Sequence, residues 1–379
     1  REETEALEAL VPDAEGPFCS LSLVACRRRG GHLRVVAVKA QATTYHALRL
    51  LGQLSELEAL WLALEIANEV PLDMEVLDAL HWPKLRNLEV AAVDVSVDLR
   101  SEFFAKVIGR QSTLQVVQTW PDKYNEFDFS LASWCGLRDL RDIRVPDMNI
   151  HTFPDCFADL VELRNVYLPC NYLTEAPRAL AGLPELRTFV GFRQGEYTPC
   201  HLRREPRPRN LQRHEEMRRE HGDCKLVWET ALGDDGGDNP RILCPWVSLR
   251  GTLRDWMDLR WPKLEKLWLD GNFIAGRIPE NLPEVWPDVR SLDLYRNELT
   301  GAIPASLAEV GFGKLQLQGN HLSGEVPPAL FQRECCYFNI AANANLTGCV
   351  PAGTFRDHWR RGIPGTKITK CPDAGGEEL

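Results

Sequence analysis

LEKLWLDGNFIAGRIP (Leu264–Pro279), VRSLDLYRNELTGAIP (Val289–Pro304), FGKLQLQGNHLSGEVP (Phe312–Pro327) and CYFNIAANANLTGCVP (Cys336–Pro351) are four copies of one pattern. Between Leu264, Val289, Phe312 and Cys335 the period is 25, 23 and 23 residues. Self-similarity at such a period marks an array in which each unit packs only on its neighbours. Leu267 and Leu269 stand two apart, so on a short strand both point to one side, into a shared core. Gly276, Gly301, Gly324 and Gly348 permit a tight backbone path. Pro279, Pro304, Pro327 and Pro351 fix φ where the chain leaves the second face.

The unit Leu-x-Leu-x-x-Asn-x-Leu-x-Gly-x-Ile-Pro resembles the plant-type leucine-rich repeat of receptor ectodomains and polygalacturonase-inhibitor-like secreted proteins. The resemblance implies an α/β repeat fold. It would be a right-handed leucine-rich-repeat solenoid with a parallel concave sheet, capped ends and one non-repeat insertion. It also implies that Asn272, Asn297, Asn320 and Asn343 form a ladder, each amide bonding backbone groups of the neighbouring coil.

Towards the N-terminus the pattern persists in weaker form, opened by Leu57, Leu85, Leu114, Leu140, Leu163 and Leu186 at intervals of 28, 29, 26, 23 and 23 residues. Asn171 keeps the ladder position. The longer units leave room for helices on the convex side, expected in LDMEVLDALHW (Leu72–Trp82) and SEFFAKVIGR (Ser101–Arg110). RILCPWVSLRGTL (Arg241–Leu253) reads as a further degenerate unit, with Leu243 on its outward column. The expected organisation is a cap over 1–32, irregular repeats over 33–192 and an island-like insertion over 193–238. Repeats resume over 239–355, plant-type from 264, and 356–379 form a cap with an acidic tail.

The chain has 379 residues, 44% of them hydrophobic, enough for a continuous core along a repeat array. A formal charge of −10 disfavours a nucleic-acid partner. No run of about 18 apolar residues exists to span a membrane. The first residue is Arg, as expected where a leader has been removed or the chain is a fragment.

Twelve cysteines point to an oxidising compartment: secreted, extracellular or an organelle lumen. The resemblance implies that Cys19 and Cys26, after the acidic start EETEALEALV, belong to an N-terminal cap. Cys349 and Cys371 are expected to staple the last coil. Asn345-Leu346-Thr347 is a glycosylation sequon, with Leu346 on a core position of the repeat. In the insertion, Cys200, His201, His214, His221 and Cys224 carry soft ligands, but their spacing fits no standard zinc module. A Cys200–Cys224 disulfide is favoured over metal in an oxidising compartment; in a reducing one the two stand even. No metal or cofactor is expected. Residues 201–221 carry seven Arg and four Glu. By position and length the segment resembles the island domain of some plant receptors, though a plain surface loop is favoured.

No phosphate-cradling glycine loop, metalloprotease helix or nucleophile elbow is present, so the chain is not expected to be an enzyme. Recognition would fall on side chains that flank the core leucines. Trp268, Asp270, Asp293 and Tyr295 fall on adjacent coils, followed by Gln316 and Gln318; Trp61, Arg144 and Tyr167 form a looser second group. Two aromatics beside two carboxylates fit a partner with a basic group, a protein or peptide before a glycan. The competing reading is a structural or adaptor subunit of a larger assembly.

Overall fold

The computed structural model describes residues 24–29, 32–92, 95–120, 130–194, 225–228, 240–243, 248–332, 337–351 and 362–371. The chain divides into two compact units, Arg1–Leu168 and Pro169–Leu379.

In the first unit β1 (Val24–Arg29) lies antiparallel on β2 (His32–Ala42). Parallel strands follow in chain order: β3 (Ala59–Leu64), β4 (Asn87–Ala92), β5 (Val116–Trp120), β6 (Asp142–Arg144) and β7 (Asn165–Tyr167). Residues that alternate with the outward ones form the core: Leu60, Leu62, Leu88, Val90, Val117, Ile143 and Val166 are buried. Helices occupy the other side, as the longer intervals predict. Tyr45–Gly52, Met74–Ala79 and Val97–Glu102 start at Thr44, Asp73 and Ser96, whose side chains each accept an orphan backbone N–H of the first turn. The third continues as a π turn over Phe103–Val107 and a 3-10 turn over Ile108–Arg110. Two buried tryptophans tie neighbouring coils: Trp82 Nε1 donates to Leu51 O at 3.0 Å and Trp134 Nε1 to Phe104 O at 2.9 Å. A Cys135–Cys156 disulfide, which the repeat pattern does not anticipate, joins adjacent coils on this side.

In the second unit the strands are β8 (Thr188–Val190), β9 (Lys225–Trp228), β10 (Pro240–Leu243), β11 (Arg250–Thr252), β12 (Lys266–Trp268), β13 (Phe273–Arg277) and β14 (Ser291–Asp293). They continue as β15 (Glu298–Gly301), β16 (Lys314–Gln316), β17 (His321–Glu325), β18 (Tyr337–Asn339), β19 (Asn345–Thr347), β20 (Cys349–Val350) and β21 (Thr369–Lys370). One parallel sheet runs β8-β12-β14-β16-β18, and a second runs β11-β13-β15-β17-β19. The expected ladder joins the coils. Asn297 Nδ2 donates to Leu269 O at 2.9 Å and Leu294 O at 3.1 Å, while its Oδ1 accepts Ile274 N at 3.0 Å. Asn320 and Asn343 repeat this arrangement one coil on. The glycines of the pattern take the left-handed backbone region, with Gly301 at φ 78°.

Two sequence expectations change here. Lys266, Leu267 and Trp268 pair directly with Thr188, Phe189 and Val190, so no coil strand separates them. Leu243 instead belongs to β10, which pairs antiparallel with β9. The coil opened by Leu186 is completed by Leu249-Arg250-Gly251-Thr252-Leu253, with β11 on β13, so the insertion interrupts a coil and does not lie between two. Nor does the repeat stop at residue 192. Gln194, fully buried, holds the ladder position: its Oε1 accepts Leu173 N at 3.1 Å, and its N–H donates to Asn272 Oδ1 at 2.9 Å.

The last coil is closed as expected by Cys349–Cys371, beside the β20–β21 pair. Backbone bonds from Ile340 N to Gly362 O and Ala342 N to Pro364 O cover its edge. Cys26 in the first unit and Cys170 in the second each take part in a separate disulfide. Cys19, Cys200, Cys224 and the histidines of the insertion lie outside the described residues.

Candidate functional site

Each coil of the second unit presents side chains on the outward face of its main sheet in fixed columns, because the strand registers match residue for residue. Lys266, Ser291, Lys314 and Tyr337 form one column; Trp268, Asp293, Gln316 and Asn339 form the next. Beyond the strand, the residue before each ladder position adopts positive φ: Arg193 56°, Gly271 66°, Arg296 54°, Gly319 67° and Ala342 54°. That turn folds the chain back across the core and carries Arg193 and Arg296 beside the sheet face.

The structure brings Trp268, Asp270, Asp293 and Tyr295 together and adds basic groups the sequence reading did not assign. Trp268 is half-buried, and its Nε1 donates to Ser291 Oγ at 2.8 Å. Lys314 Nζ lies 4.2 Å from the centre of its ring and Lys266 Nζ 4.8 Å, within cation–π range. Lys314 also pairs with Asp293 Oδ2 at 2.8 Å. On the other flank, Arg193 donates to the Tyr295 hydroxyl at 3.5 Å. The carboxylates are therefore not displayed acceptors, as two exposed aspartates would be: Asp270 is 4% and Asp293 2% exposed. The in-chain cations Arg193 and Lys314 already face them.

Burial has a measurable consequence. Desolvation pushes the Asp270 carboxyl up to about 7, and the charge of Asp293 adds to the rise, while Arg193 and the Tyr295 hydrogen bond oppose it. Asp293 is also raised by burial, against the pull of Lys314. Asp293 Oδ1 and Gln318 Oε1 are buried acceptors without a hydrogen-bond partner among the described residues. Gln316 is 8% exposed and sits beside Asp293 in register.

In the first unit the outward column is Lys39, Trp61, Glu89, Gln118, Arg144 and Tyr167, matched strand to strand. Trp61 and Arg144 lie three strands apart, about 14 Å at the usual strand spacing. Arg144 and Tyr167 are register neighbours. Lys39 Nζ sits 4.0 Å from the Trp61 ring centre, and Arg144 donates to Gln118 Oε1 at 3.4 Å. Trp120, half exposed, donates to Glu89 Oε1 at 2.5 Å.

Other features are less organised. A mixed-charge cavity of about 670 Å³ in the second unit is lined by Thr174, Glu175, Arg178, Arg250, Asp255 and Asp258 among others, apart from the tryptophan patch. On β19, Asn345 and Thr347 face solvent while Leu346 is fully buried, so strand alternation separates the sequon's polar residues from the core. Among the described residues no group of three His, Cys, Asp or Glu side chains is placed to hold a metal, and no helix is long and apolar enough to cross a membrane.

The patch was partly legible in the chain. Lys266 and Lys314 occupy the position just before the inner leucine and could have been read from the same two-residue alternation. Arg193 stands at the edge of the insertion, where the pattern gives no register.

No protein-family model and no curated protein matches the chain. Among solved structures, it is similar to the BIR2 ectodomain from Arabidopsis thaliana, at 28% identity over 35% of this chain and 69% of that one, with a TM-score of 0.29. It is also similar to the Arabidopsis receptor kinase HAESA, solved in complex with the peptide hormone IDA and the co-receptor SERK1. That match has 15% identity over 86% of this chain and 56% of that one, with a TM-score of 0.47. A plant ice-binding protein matches at 16% identity over 99% and 98% of the two chains, with a TM-score of 0.43. At these scores the fold rests on the chain's own coils.

Proposed function

We propose that the chain is a plant-type leucine-rich-repeat protein that acts as a non-enzymatic recognition module. It binds a protein or peptide on the outward face of the second unit's main sheet, centred on Trp268 and Tyr295. One observation carries this reading. Trp268 is held in a fixed orientation by Ser291 and two lysines, beside a second aromatic and a ring of ordered charges. A rigid aromatic on a polar surface loses little entropy on binding, and such residues dominate interface energies. The neighbouring Gln316 and Gln318 supply amide contacts, and Trp61, Arg144 and Tyr167 in the first unit form a lesser contact surface. The disulfides support a secreted, extracellular or lumenal location. There Asn345, facing solvent beside an exposed Thr347, serves as a glycan acceptor.

The test is capture of partners from native extract by the wild-type chain and by a Trp268→Ala, Tyr295→Ala double variant. A partner bound by the wild type should lose at least about tenfold in affinity, roughly 1.4 kcal/mol, in the variant. An unchanged dissociation constant with an intact fold would overturn the proposal. A chain found only at high mass in native extract, however mild the lysis, would favour the adaptor-subunit reading.

A further inference from the structure

We propose that the Asp270–Asp293 pair exchanges a proton for a cationic side chain of the partner, which makes recognition at this patch proton-linked. The inference rests on the reading of the patch as a recognition surface. Two carboxyl groups are held on adjacent coils at 4% and 2% exposure, where two unneutralised charges are costly. The groups that face them are few. Arg193 approaches Asp270 from the preceding coil, and the Tyr295 hydroxyl from the following one. Lys314 takes Asp293 Oδ2, and the backbone N–H of Tyr295 also favours the charged form of Asp293. Lys266 is turned over the Trp268 ring, and Arg296 lies 5.7 Å from the Tyr295 ring.

That leaves Asp293 Oδ1, with Gln318 Oε1 on the neighbouring coil, as buried acceptors lacking a donor among the described residues. A guanidinium or ammonium group seated between Tyr295 and Gln318 offers donors to both acceptors and adds a positive charge to those of Arg193 and Lys314. The proton held by Asp270 then leaves to water. The elevated titration of Asp270, about 7, places this exchange near neutrality. With one proton displaced from a group titrating there, affinity for the cation rises about tenfold between about pH 6 and about pH 8.

The test uses the full chain with ¹³C-carboxyl-labelled aspartate and acetyl-Gly-Arg-Gly-amide as probe. Carboxyl chemical shifts of the free protein should show a midpoint near neutrality that disappears in Asp270→Asn. Probe titrations should show about tenfold tighter binding at the higher pH, with close to one proton released in calorimetry. In Asp270→Asn the pH dependence should vanish. Equal affinity at both pH values, or no binding at either, overturns the proposal. If the probe binds equally at both while the Trp268→Ala, Tyr295→Ala variant still loses its native partner, the recognition reading survives and the proton linkage alone is wrong.

Discussion

The two units solve the same stacking problem with different parts. In the first, β2, β3 and β4 pair over six residues at a time, and helices cover the opposite side. In the second, strands of the main sheet are three residues long, and coils are joined by buried asparagines and a second parallel sheet. The cause is repeat length. Intervals of 28 and 29 residues have room for a longer helix; those of 23 to 25 from Leu264 onward hold a second short strand and a single helical turn, such as Leu282–Val285 or Ala305–Ala308. A short strand makes few ladder bonds, so a side-chain amide must satisfy the backbone groups that turn over the core. Outward side chains stand in register in both units, and in the second this brings the carboxylates and the tryptophan together.

Substitution at the ladder position should separate the units most sharply. Asn297→Leu leaves the buried Ile274 N–H without a partner and takes one of two amide donors from each of Leu269 O and Leu294 O, which keep Asn272 and Asn320, so it should cost about 3 kcal/mol, the upper end of the 1–3 kcal/mol typical of one unsatisfied group. Met148→Leu, at the equivalent place in the first unit, should cost less than about 1.5 kcal/mol. Urea unfolding followed by hydrogen exchange in each unit reads both; equal costs would mean that the ladder does not hold the second unit.

Removing Cys135 and Cys156 together should destabilise the first unit by about 3 kcal/mol, the value for a cross-link closing a loop of about 20 residues. Protection in the second unit should stay unchanged, and loss there instead would erase the distinction between the units.

A third separation of the units is in pH. Among the described groups, Asp270 and Asp293 in the second unit and Tyr45 in the first are displaced from their ordinary titration. Asp270 titrates near 7 when folded and at 3.8 when unfolded, so the folded state holds an extra proton between those values. Stability of the second unit should therefore fall as pH rises from about 4 through about 7, and Asp270→Asn should gain on the wild type across that window. Tyr45 lies above its ordinary 10.0 and does not titrate there. Parallel thermal melts of variant and wild type at several pH values decide it.

Much of this was legible in the chain. Leu267 with Leu269, and Asn272 with Gly276, encode strand, ladder and turn because each type answers a distinct backbone need. The helices at Met74–Ala79 and Val97–Glu102 follow from interval length. Leu243 misleads because an apolar-x-apolar spacing fits any strand, and only pairing distinguishes β10 from a coil strand. Cys135 and Cys156 fall on consecutive coils, but nothing in one coil's pattern tells that both thiols point the same way. The burial of Asp270 and Asp293 escapes for a similar reason: column position fixes the face of a side chain, whereas exposure depends on Arg193, Tyr295 and Lys314 around it.

The central claim is that partners meet the outward face of the second unit's main sheet. Tyr337, 53% exposed on β18 in the column of Lys266 and Lys314, and Thr300, exposed on the second sheet, offer the direct comparison. A benzoylphenylalanine cross-linker at Tyr337 should capture the native partner on irradiation, and one at Thr300 should not. Capture from Thr300 with none from Tyr337 would contradict the account.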